Sequence, residues 1–426
     1  MNTMLFANET NSPEKVTVKD VALAGTLTVT TNILFNSFDR IILNEDYANV
    51  NLQSFKKNLT GDWWWDVDDF ATNQLGHPYQ GSLYFNAGRA NNLNFWQSLA
   101  LAAFGSFTWE EFGETDSPSI NDIITTPLCG AIFGETFHRL YVDVAEVCMP
   151  VAWIISPMDG LNYFLTGKSC ETSGHTEEID IFFHGGINQK LSVFGGGGFH
   201  IQYGNPVAHN TLEPFDLFIF DLDSDFSINF YKVDFDIDGF LWSHALYYEN
   251  SSATLGIDLL YEGRMASDET FSNAAAGIKY LHSAKENKLN FYSQIDGIFM
   301  GTKSIYVLYT NRNLYKDLET PPGMYDFGYG VMAKTGFSYE EKNFGKLYLD
   351  LSASGIWDYT QTDVEGDGAR HLITQAVMGY EHSIIKNLSL GLKDKFVYEI
   401  DYIGTKEDKI QLANDIQVYC KMSFRD

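Results

Sequence analysis

The segment from residue 77 to residue 139 carries the side chains best suited to chemistry. Glu110 and Glu114 lie one helical turn apart, on a face whose earlier members, at positions 98, 102 and 106, are small. A carboxylate on a small, buried face is costly unless it is paired or hydrogen-bonded. His77 could exchange protons with such a pair. We therefore take His77, Glu110 and Glu114 as candidates for acid–base catalysis.

A second set of polar residues in the same segment could form a binding site or a structural network. Glu135 and Arg139 are spaced to pair along one helix, and Arg89 and Asp122 are the other charged members. Three interpretations stay open for the whole segment: a buried network that fixes helix packing, a ligand or ion site, and a catalytic site. The packing interpretation is favoured, so the residues do not predict an enzyme.

Other catalytic and metal motifs are incomplete. Serines occur near His77, but no G-x-S-x-G elbow surrounds any of them. The acidic stretches 234–239 and 363–368 begin like calcium loops, yet their twelfth positions would be Ala245 and Thr374 instead of a bidentate acid. The sequence predicts no metal centre and no cofactor, and leaves room only for weak divalent-cation binding by the acidic loop. The three aspartates of 234–238 are better placed on the inward side of a strand.

Helices are predicted to position the candidate residues. Asn94 and Gln97 form a capping box that opens a helix over 95–112, and Pro78 suits a first helical turn. A third helix is expected from about Pro127 to Val147, where two glycines spaced by four allow close packing. We assign residues 62–160 to a helical segment.

The first 61 residues form an N-terminal extension. The stretch 27–35 alternates between Thr or Asn and apolar residues, which predicts a strand. Residues 4–7 resemble the end of a cleaved signal peptide, as export would require. The tryptophans at 63–65 suit either a membrane interface or a packed loop.

From about residue 178 the hydrophobic period changes to two. Residues 388–402 place leucine, phenylalanine, tyrosine and isoleucine on one face, opposite lysine, glutamate and serine. The stretches 347–359 and 289–299 and the last strand, 416–424, alternate in the same way. Short polar turns are interleaved with longer connections. This pattern predicts an antiparallel transmembrane β-barrel of about 12–14 strands over residues 161–426, with the helical segment packed in or against it.

Composition agrees with a barrel in a membrane. Aromatic residues make up 15% of the chain, mean hydropathy is −0.17, and no uninterrupted apolar run is long enough for a spanning helix. The net charge of −28 argues against binding nucleic acid. The four cysteines form no C-x-x-C pair. The expected partners are outer-membrane lipids and, during insertion, the barrel-assembly machinery.

Part of the chain resembles a known family. The motifs are 76–84 (GHPYQGSLY), Arg89, 95–98 (FWQS), 105–106, 109–110, 113–114, 118–122 (PSIND) and 134–139. Over roughly residues 62–167 they are similar to the domain-of-unknown-function 3943 family of uncharacterised bacterial envelope proteins. The resemblance implies an envelope location more than an activity, and it supplies no catalytic residues.

The sequence thus predicts an exported protein of the bacterial outer membrane. The favoured function is pore-like or structural, with the helices forming an internal or periplasmic plug. A lipid-modifying hydrolase of the outer membrane and a soluble secreted β-rich binding protein are the alternatives.

Overall fold

Helices occupy the first part of the chain. The computed structural model describes residues 15–425 except 67–68, 169–170, 229, 268, 285–287, 305–324, 360–369 and 403–408. We call residues 18–166 the helical unit. Its α-helices are α1 (Val18–Phe38), α2 (Leu52–Thr60), α3 (His77–Arg89), α4 (Phe95–Phe112), α5 (Ile120–Val147), α6 (Met149–Ile155) and α7 (Pro157–Thr166), with π-helical turns at Asp39–Leu43 and Thr72–Gly76.

The strands follow from residue 176. They are β1 (Thr176–Asn188), β2 (Val193–Tyr203), β3 (Phe218–Phe226), β4 (Tyr231–Tyr248), β5 (Ser251–Ala266), β6 (Thr270–Ala284), β7 (Leu289–Ser304), β8 (Tyr325–Glu341), β9 (Gly345–Asp358), β10 (Arg370–Ile385), β11 (Leu388–Tyr402) and β12 (Lys409–Arg425). Residues 161–166, predicted to belong to the barrel, instead complete α7.

The twelve strands close into one antiparallel barrel. Each strand pairs with its neighbours in the sequence, and β12 returns to pair with β1, for example at Ile181 and Met422. Closure leaves no unpaired sheet edge, which is the condition for strands to cross a lipid bilayer. The predicted barrel and the lower end of its predicted strand number are confirmed.

Ion pairs identify the inner face of the barrel. Lys334 Nζ on β8 lies 2.6 Å from Asp236 Oδ2 on β4, four strands away around the wall. Such a pair can form only through the lumen. Successive side chains of a strand point to opposite faces, so Phe235 and Ile237 point outward, as the alternation predicted.

The outer face is apolar and largely uncovered on the far side of the barrel. The predicted outward residues Leu390, Leu392 and Phe396 of β11 are exposed, whereas Ser389 and Glu399 of the same strand are buried toward the lumen. The outward residues of β12 are also exposed, at positions 416, 418, 422 and 424. The face assignment of both strands is confirmed.

The helical unit lies against the outer face and not in the lumen. Phe133 of α5 packs on Phe235 and Tyr261, with ring centroids 6.2 and 5.6 Å apart, and both of these residues point outward. The hydroxyl of Tyr261 donates to the Gln74 carbonyl oxygen at 2.6 Å. Of the two predicted placements, in the barrel or against it, the second is confirmed, and an internal plug is excluded for the described helices. Charged side chains occupy the lumen, whereas the apolar face of α5 packs on apolar and aromatic side chains of the outer wall.

Two ends of the barrel can be distinguished. At the terminal end, where β1 begins and β12 ends, the connections 249–250, 342–344 and 386–387 are short. The loop end carries the connections 305–324, 359–369 and 403–408, so the predicted asymmetry of lengths holds for these turns. The first three connections and the fifth reverse it. The connections 189–192, 227–230 and 267–269 are short at the loop end. The connection 204–217 is long at the terminal end, where it contacts α5.

The predicted strand at residues 27–35 is wrong, because these residues lie within α1. The buried residues of α1 are at positions 24, 27, 28, 31 and 32, a helical spacing, and most are small or polar. Apolar residues such as Ile33 and Leu34 point away from the protein and are 60% and 62% exposed. Because Thr, Ala and Asn carry most of the helical period, the spacing of apolar residues does not reveal it. By length and composition alone, the helix over residues 18–43 could cross a membrane, contrary to expectation.

Helix α5 begins earlier than predicted. Ser119 caps it, accepting from the Asp122 backbone N–H at 3.3 Å, and Pro127 lies inside the helix and not at its start. The predicted helix over 95–112 is confirmed with its Asn94–Gln97 capping box. Helices α3 and α5 touch through backbone at Gly81 and Gly130, the kind of close approach expected for the small residues.

Candidate functional site

Four carboxyl groups and one histidine meet near the ends of three helices. We call these residues the acidic cluster: Asp66, His77, Glu110, Glu114 and Asp122. Glu110 lies in the last turn of α4, His77 begins α3, and Asp122 is in the first turn of α5. The two helix N-termini carry partial positive charge, which favours nearby carboxylates. The structure thus brings together all three residues proposed for acid–base catalysis and adds Asp122.

Glu110 is held by the backbone and by a second carboxyl group. Its Oε2 accepts from the Ser119 N–H at 2.7 Å, and its side chain is hydrogen-bonded to that of Glu114. Two carboxyl groups form a hydrogen bond only when one of them carries a proton. Burial of its carboxyl group, with the negative charge of Glu114 as the next cause, raises the pKa of Glu110 well above its ordinary value.

Glu114 lies outside the helices, in the connection from α4 to α5. Burial of its carboxyl group, with the negative charge of Asp122 as the next cause, raises the pKa of Glu114 well above its ordinary value. A carboxyl group of this kind retains its proton at pH values where an exposed glutamate is ionised.

His77 and Asp122 form the other half of the cluster. His77 Nε2 lies 3.8 Å from Asp122 Oδ2, and the Asn121 side-chain amide donates to Asp122 Oδ1 at 2.9 Å. The carbonyl oxygen of that same amide accepts from the Asp66 N–H at 2.7 Å. Asn121 thereby ties the segment before α3 to the start of α5.

The acidic cluster is near the loop end of the barrel. Trp65 stacks on Tyr359 with ring centroids 5.3 Å apart, and Asn73 donates to the Tyr325 hydroxyl at 2.7 Å. Trp64 is 49% exposed and donates its indole N–H to the Ser117 carbonyl. Trp65 therefore covers the barrel wall, as a packed loop would, whereas Trp64 is exposed, as a membrane-interface residue would be. Each of the two interpretations of residues 63–65 thus describes one tryptophan.

The remaining candidate residues meet near the terminal end. Glu135 Oε2 lies 2.7 Å from Arg89 Nε, and Glu135 Oε1 lies 2.8 Å from Arg139 Nε. Arg139 also reaches the barrel, donating to the Ser173 carbonyl at 2.6 Å and lying 3.3 Å from Glu213 Oε2. This network is separate from the acidic cluster. Its contacts fasten α5 to the connections on either side of β1 and β2.

A third polar group was not identified from the sequence. His138 Nδ1 lies 2.7 Å from Asp159 Oδ1, and the Ser156 hydroxyl donates to Asp159 Oδ2 at 2.5 Å. All three residues are buried. A signal was available, since His138 lies one helical turn after Glu135 on α5. Its partner Asp159 is on α7, however, and only packing of the two helices brings them together.

The serines do not complete a nucleophilic site with His77. The Ser82 hydroxyl donates to the Tyr79 carbonyl of its own helix. Ser98 packs on Gly88, eleven residues from His77 along α3, which corresponds to about 16 Å. Ser106 lies closer but donates to the Asp122 backbone carbonyl at 3.2 Å. A serine hydrolase mechanism is therefore not supported by these contacts.

Comparison with protein families bears on the helical unit. Residues 62–161 match the family described as Domain of unknown function (DUF3943). The resemblance found in the motifs is thereby confirmed over this segment. The DUF3943 segment contains the whole acidic cluster together with Arg89, Glu135 and Arg139, and it ends before the barrel begins.

Comparisons with whole proteins give only distant matches. No curated protein sequence matches the chain. A structure of the NanC porin has a TM-score of 0.30 and 10% identity, covering 57% of this chain and 98% of that chain. Outer membrane phospholipase A from Escherichia coli gives 0.27 and 9%, covering 59% and 98%. An outer membrane channel from Pseudomonas putida F1 gives 0.29 and 9%, covering 60% and 97%. The barrel fold of this chain rests on its own strand pairing.

Proposed function

We propose that this chain is a bacterial outer-membrane protein whose barrel anchors the helical unit, and that the acidic cluster binds the ammonium-bearing head group of a membrane lipid. The observation that carries the proposal is the position of the cluster. The cluster belongs to the helical unit, which packs on the outer face of the barrel, and its carboxyl groups offer oxygen acceptors.

A membrane location is supported by the surface of both parts. The strands have 9 to 18 residues, which meets the about 9–11 residues that a tilted transmembrane strand needs. Outside the barrel, apolar side chains continue from the strands to α1, α6 and α7, where Ile154 is 79% exposed. A continuous apolar surface that no other part of the protein covers is expected to contact lipid.

An anchor is better supported than a pore. Side chains bridge the lumen at several levels: Lys334 to Asp236 at 2.6 Å, Lys395 to Asp234 at 2.8 Å, Lys393 to Asp223 at 3.2 Å and Lys303 to Glu399 at 3.2 Å. These pairs join strands that face each other across the lumen. Within the described residues, paired charges thus cross the lumen at several levels, which narrows the space available to a permeating solute.

The chemistry of the acidic cluster indicates the class of ligand. Ionised carboxylates only accept hydrogen bonds and attract positive charge, so an ammonium group is their natural complement. Exposed aromatic and apolar side chains near this end, including Phe107, Phe112 and Leu43, would contact the acyl chains. Ionisable groups at membrane-embedded positions commonly mark ligand sites.

The test compares head groups. The full chain, refolded in detergent, is incubated with equal amounts of phosphatidylethanolamine and phosphatidylglycerol, and retained lipid is measured by native mass spectrometry. We expect preferential retention of phosphatidylethanolamine, reduced at least tenfold in Glu110→Gln/Glu114→Gln. Glu249→Gln, which removes an exposed carboxylate at the terminal end, is the matched control. Equal retention of both lipids, or no effect of the double substitution, contradicts the proposal.

A lipid-modifying hydrolase is the second candidate, favoured by the raised pKa values of Glu110 and Glu114 and by the contact of His77 with Asp122 in the same cluster. General acid–base catalysis needs one protonated and one ionised group. Fatty-acid release from phospholipid by the wild type, lost in Glu110→Gln at an unchanged unfolding midpoint, would establish this candidate. We expect no release from the wild type.

A further inference from the structure

A histidine and two aspartates meet inside the barrel, away from the helical unit. His184 is on β1, and Asp223 and Asp225 are on β3, near the loop end. Between them runs β2, whose register aligns Gly196 with His184 on one side and Asp225 on the other. The side chains therefore approach each other over the intervening strand.

Glycine in β2 makes this approach possible. A Cβ atom at Gly196 would lie 2.7 Å from His184 Nε2, and one at Gly198 would lie 2.8 Å from the Phe182 ring. Any larger residue at Gly196 would occupy the space in which the imidazole now lies. The run of four glycines at 195–198 thus provides a bare stretch of lumen wall beneath His184.

The imidazole is oriented by one aspartate and faces the other. His184 Nε2 lies 2.6 Å from Asp225 Oδ1, a hydrogen bond in which the ring donates. The neutral ring then carries a lone pair on Nδ1. Nδ1 lies 3.7 Å from Asp223 Oδ1, and both atoms are buried without a hydrogen-bond partner among the described residues. The His184 side chain is fully buried.

This separation fits two ligands of one metal ion. A distance of 3.7 Å is too long for a hydrogen bond. Zinc binds imidazole nitrogen and carboxylate oxygen at about 2.0–2.2 Å, so two of its tetrahedral ligands lie roughly 3.4 Å apart. A shift of a few tenths of an ångström would bring Nδ1 and Oδ1 to this spacing.

The surrounding charges are also compatible with a divalent cation. Lys393 lies 3.2 Å from Asp223 Oδ2, and Lys232 pairs with Asp225 Oδ2, so each lysine leaves the Oδ1 atom of its aspartate facing His184. Lys232 also lies 3.5 Å from Asp415. Three carboxylates thus face two lysines, and Asp221 beside His200 adds a fourth at the same wall.

We propose that the barrel lumen holds a divalent transition-metal site of the zinc type. Its protein ligands are His184 Nδ1 and Asp223 Oδ1, with water completing the coordination. Asp225 is a positioning residue that fixes the imidazole through Nε2, as carboxylates do for metal-bound histidines. The chemistry of one nitrogen and one carboxylate oxygen suits zinc, cobalt or nickel more than calcium or magnesium. The site joins β1 to β3 and is independent of the function proposed for the acidic cluster.

Metal binding to the full chain tests the proposal. The refolded, chelator-treated protein is titrated with Zn²⁺ by calorimetry in detergent, and Co²⁺ is followed by its visible absorption. We expect one tightly bound ion per chain, binding abolished in His184→Gln and Asp223→Asn, and affinity lowered 10–100-fold in Asp225→Asn. His200→Gln, which alters another imidazole of the same wall, is the matched control and should bind like the wild type.

A second measurement does not depend on the variants folding. X-ray absorption of the wild-type zinc complex should show one imidazole and oxygen ligands. A sulfur shell, the absence of tight binding in the wild type, or wild-type affinity in a folded His184→Gln protein would each overturn the site.

Discussion

The contact between α3 and α5 gives the sharpest prediction for the fold of the helical unit. A Cβ atom added at Gly130 would lie 2.6 Å from the Gly81 carbonyl carbon and 2.9 Å from the Ser82 nitrogen. Carbon atoms in ordinary contact are about 3.5–4.0 Å apart. Because the opposing atoms are backbone, no change of rotamer can relieve the overlap, and in Gly130→Ala the two helices must move apart by about 1 Å.

The magnitude follows from two opposing effects. Overpacking of a close interface costs roughly 1–3 kcal/mol, and a backbone clash belongs at the upper end of that range. Alanine in place of glycine within a helix returns about 1 kcal/mol through helix propensity. We therefore expect Gly130→Ala to destabilise the helical unit by about 2 kcal/mol. Gly25→Ala in α1 is the matched control, because a Cβ atom there would meet nothing within 4 Å and should stabilise.

The assay separates the helices from the barrel. Helix unfolding in detergent is followed by circular dichroism at 222 nm, and barrel integrity by the difference in gel mobility between unheated and boiled samples. We expect a lower helix midpoint for Gly130→Ala with the barrel intact. If Gly130→Ala and Gly25→Ala have the same midpoint, the close approach of α3 and α5 is refuted.

Three further predictions concern the barrel wall, the Arg139–Glu135 pair and the acidic cluster. Leu390→Arg should impair membrane insertion, because a lipid-facing arginine near the midplane costs about 2–4 kcal/mol. Leu390→Ile is the control and should insert normally. Equal insertion of the two variants in a vesicle assay would contradict the outward assignment of Leu390. Arg139→Met should lower the free energy of unfolding by about 3–5 kcal/mol, because it leaves Glu135 buried with one partner fewer. The free energy is measured by denaturant titration. If the double variant Arg139→Met/Glu135→Gln loses more stability than Arg139→Met, the unpaired Glu135 is not the cause. The raised pKa of Glu114 means that the folded state holds this proton more tightly than the unfolded state. Stability from this group is present below its ordinary pKa of 4.5 and is lost as pH rises through the raised value. Unfolding midpoints of Glu114→Gln should depend less on pH over this range, and an unchanged dependence would reject the cause given.

The helices and strands that could be predicted from the sequence are those marked by residues close together in the chain. The capping box at Asn94 and the two-residue period of β11 each depend on residues adjacent in the chain, and both were correct. The errors at α1 and at the start of α5 have different causes. In α1 the apolar side chains face outward and the small polar ones pack inside, so the hydrophobic pattern did not mark the buried face. Pro127 was taken as a helix start, although α5 continues through it.

The pairing of candidate residues could likewise be predicted only within one helix or strand. Glu135 and Arg139 could be paired from their spacing on one helix. His138 with Asp159, and His184 with Asp223, could not, because each pair joins separate elements whose approach depends on packing or on barrel closure.

By itself, the sequence determined that strands with one apolar and one polar face would close into a barrel, since a face of alternating side chains must turn either toward lipid or toward the lumen. It also determined the helix α4 that carries Glu110. The tertiary structure alone decided that the helices pack outside the wall. Lysines and aspartates from facing strands occupy the lumen as ion pairs such as Lys334–Asp236, whereas the apolar side of α5 is complementary to Phe235 and Tyr261 on the outer face. Which surface a helix covers depends on charges and rings contributed by strands more than a hundred residues away, and no local pattern contains that information.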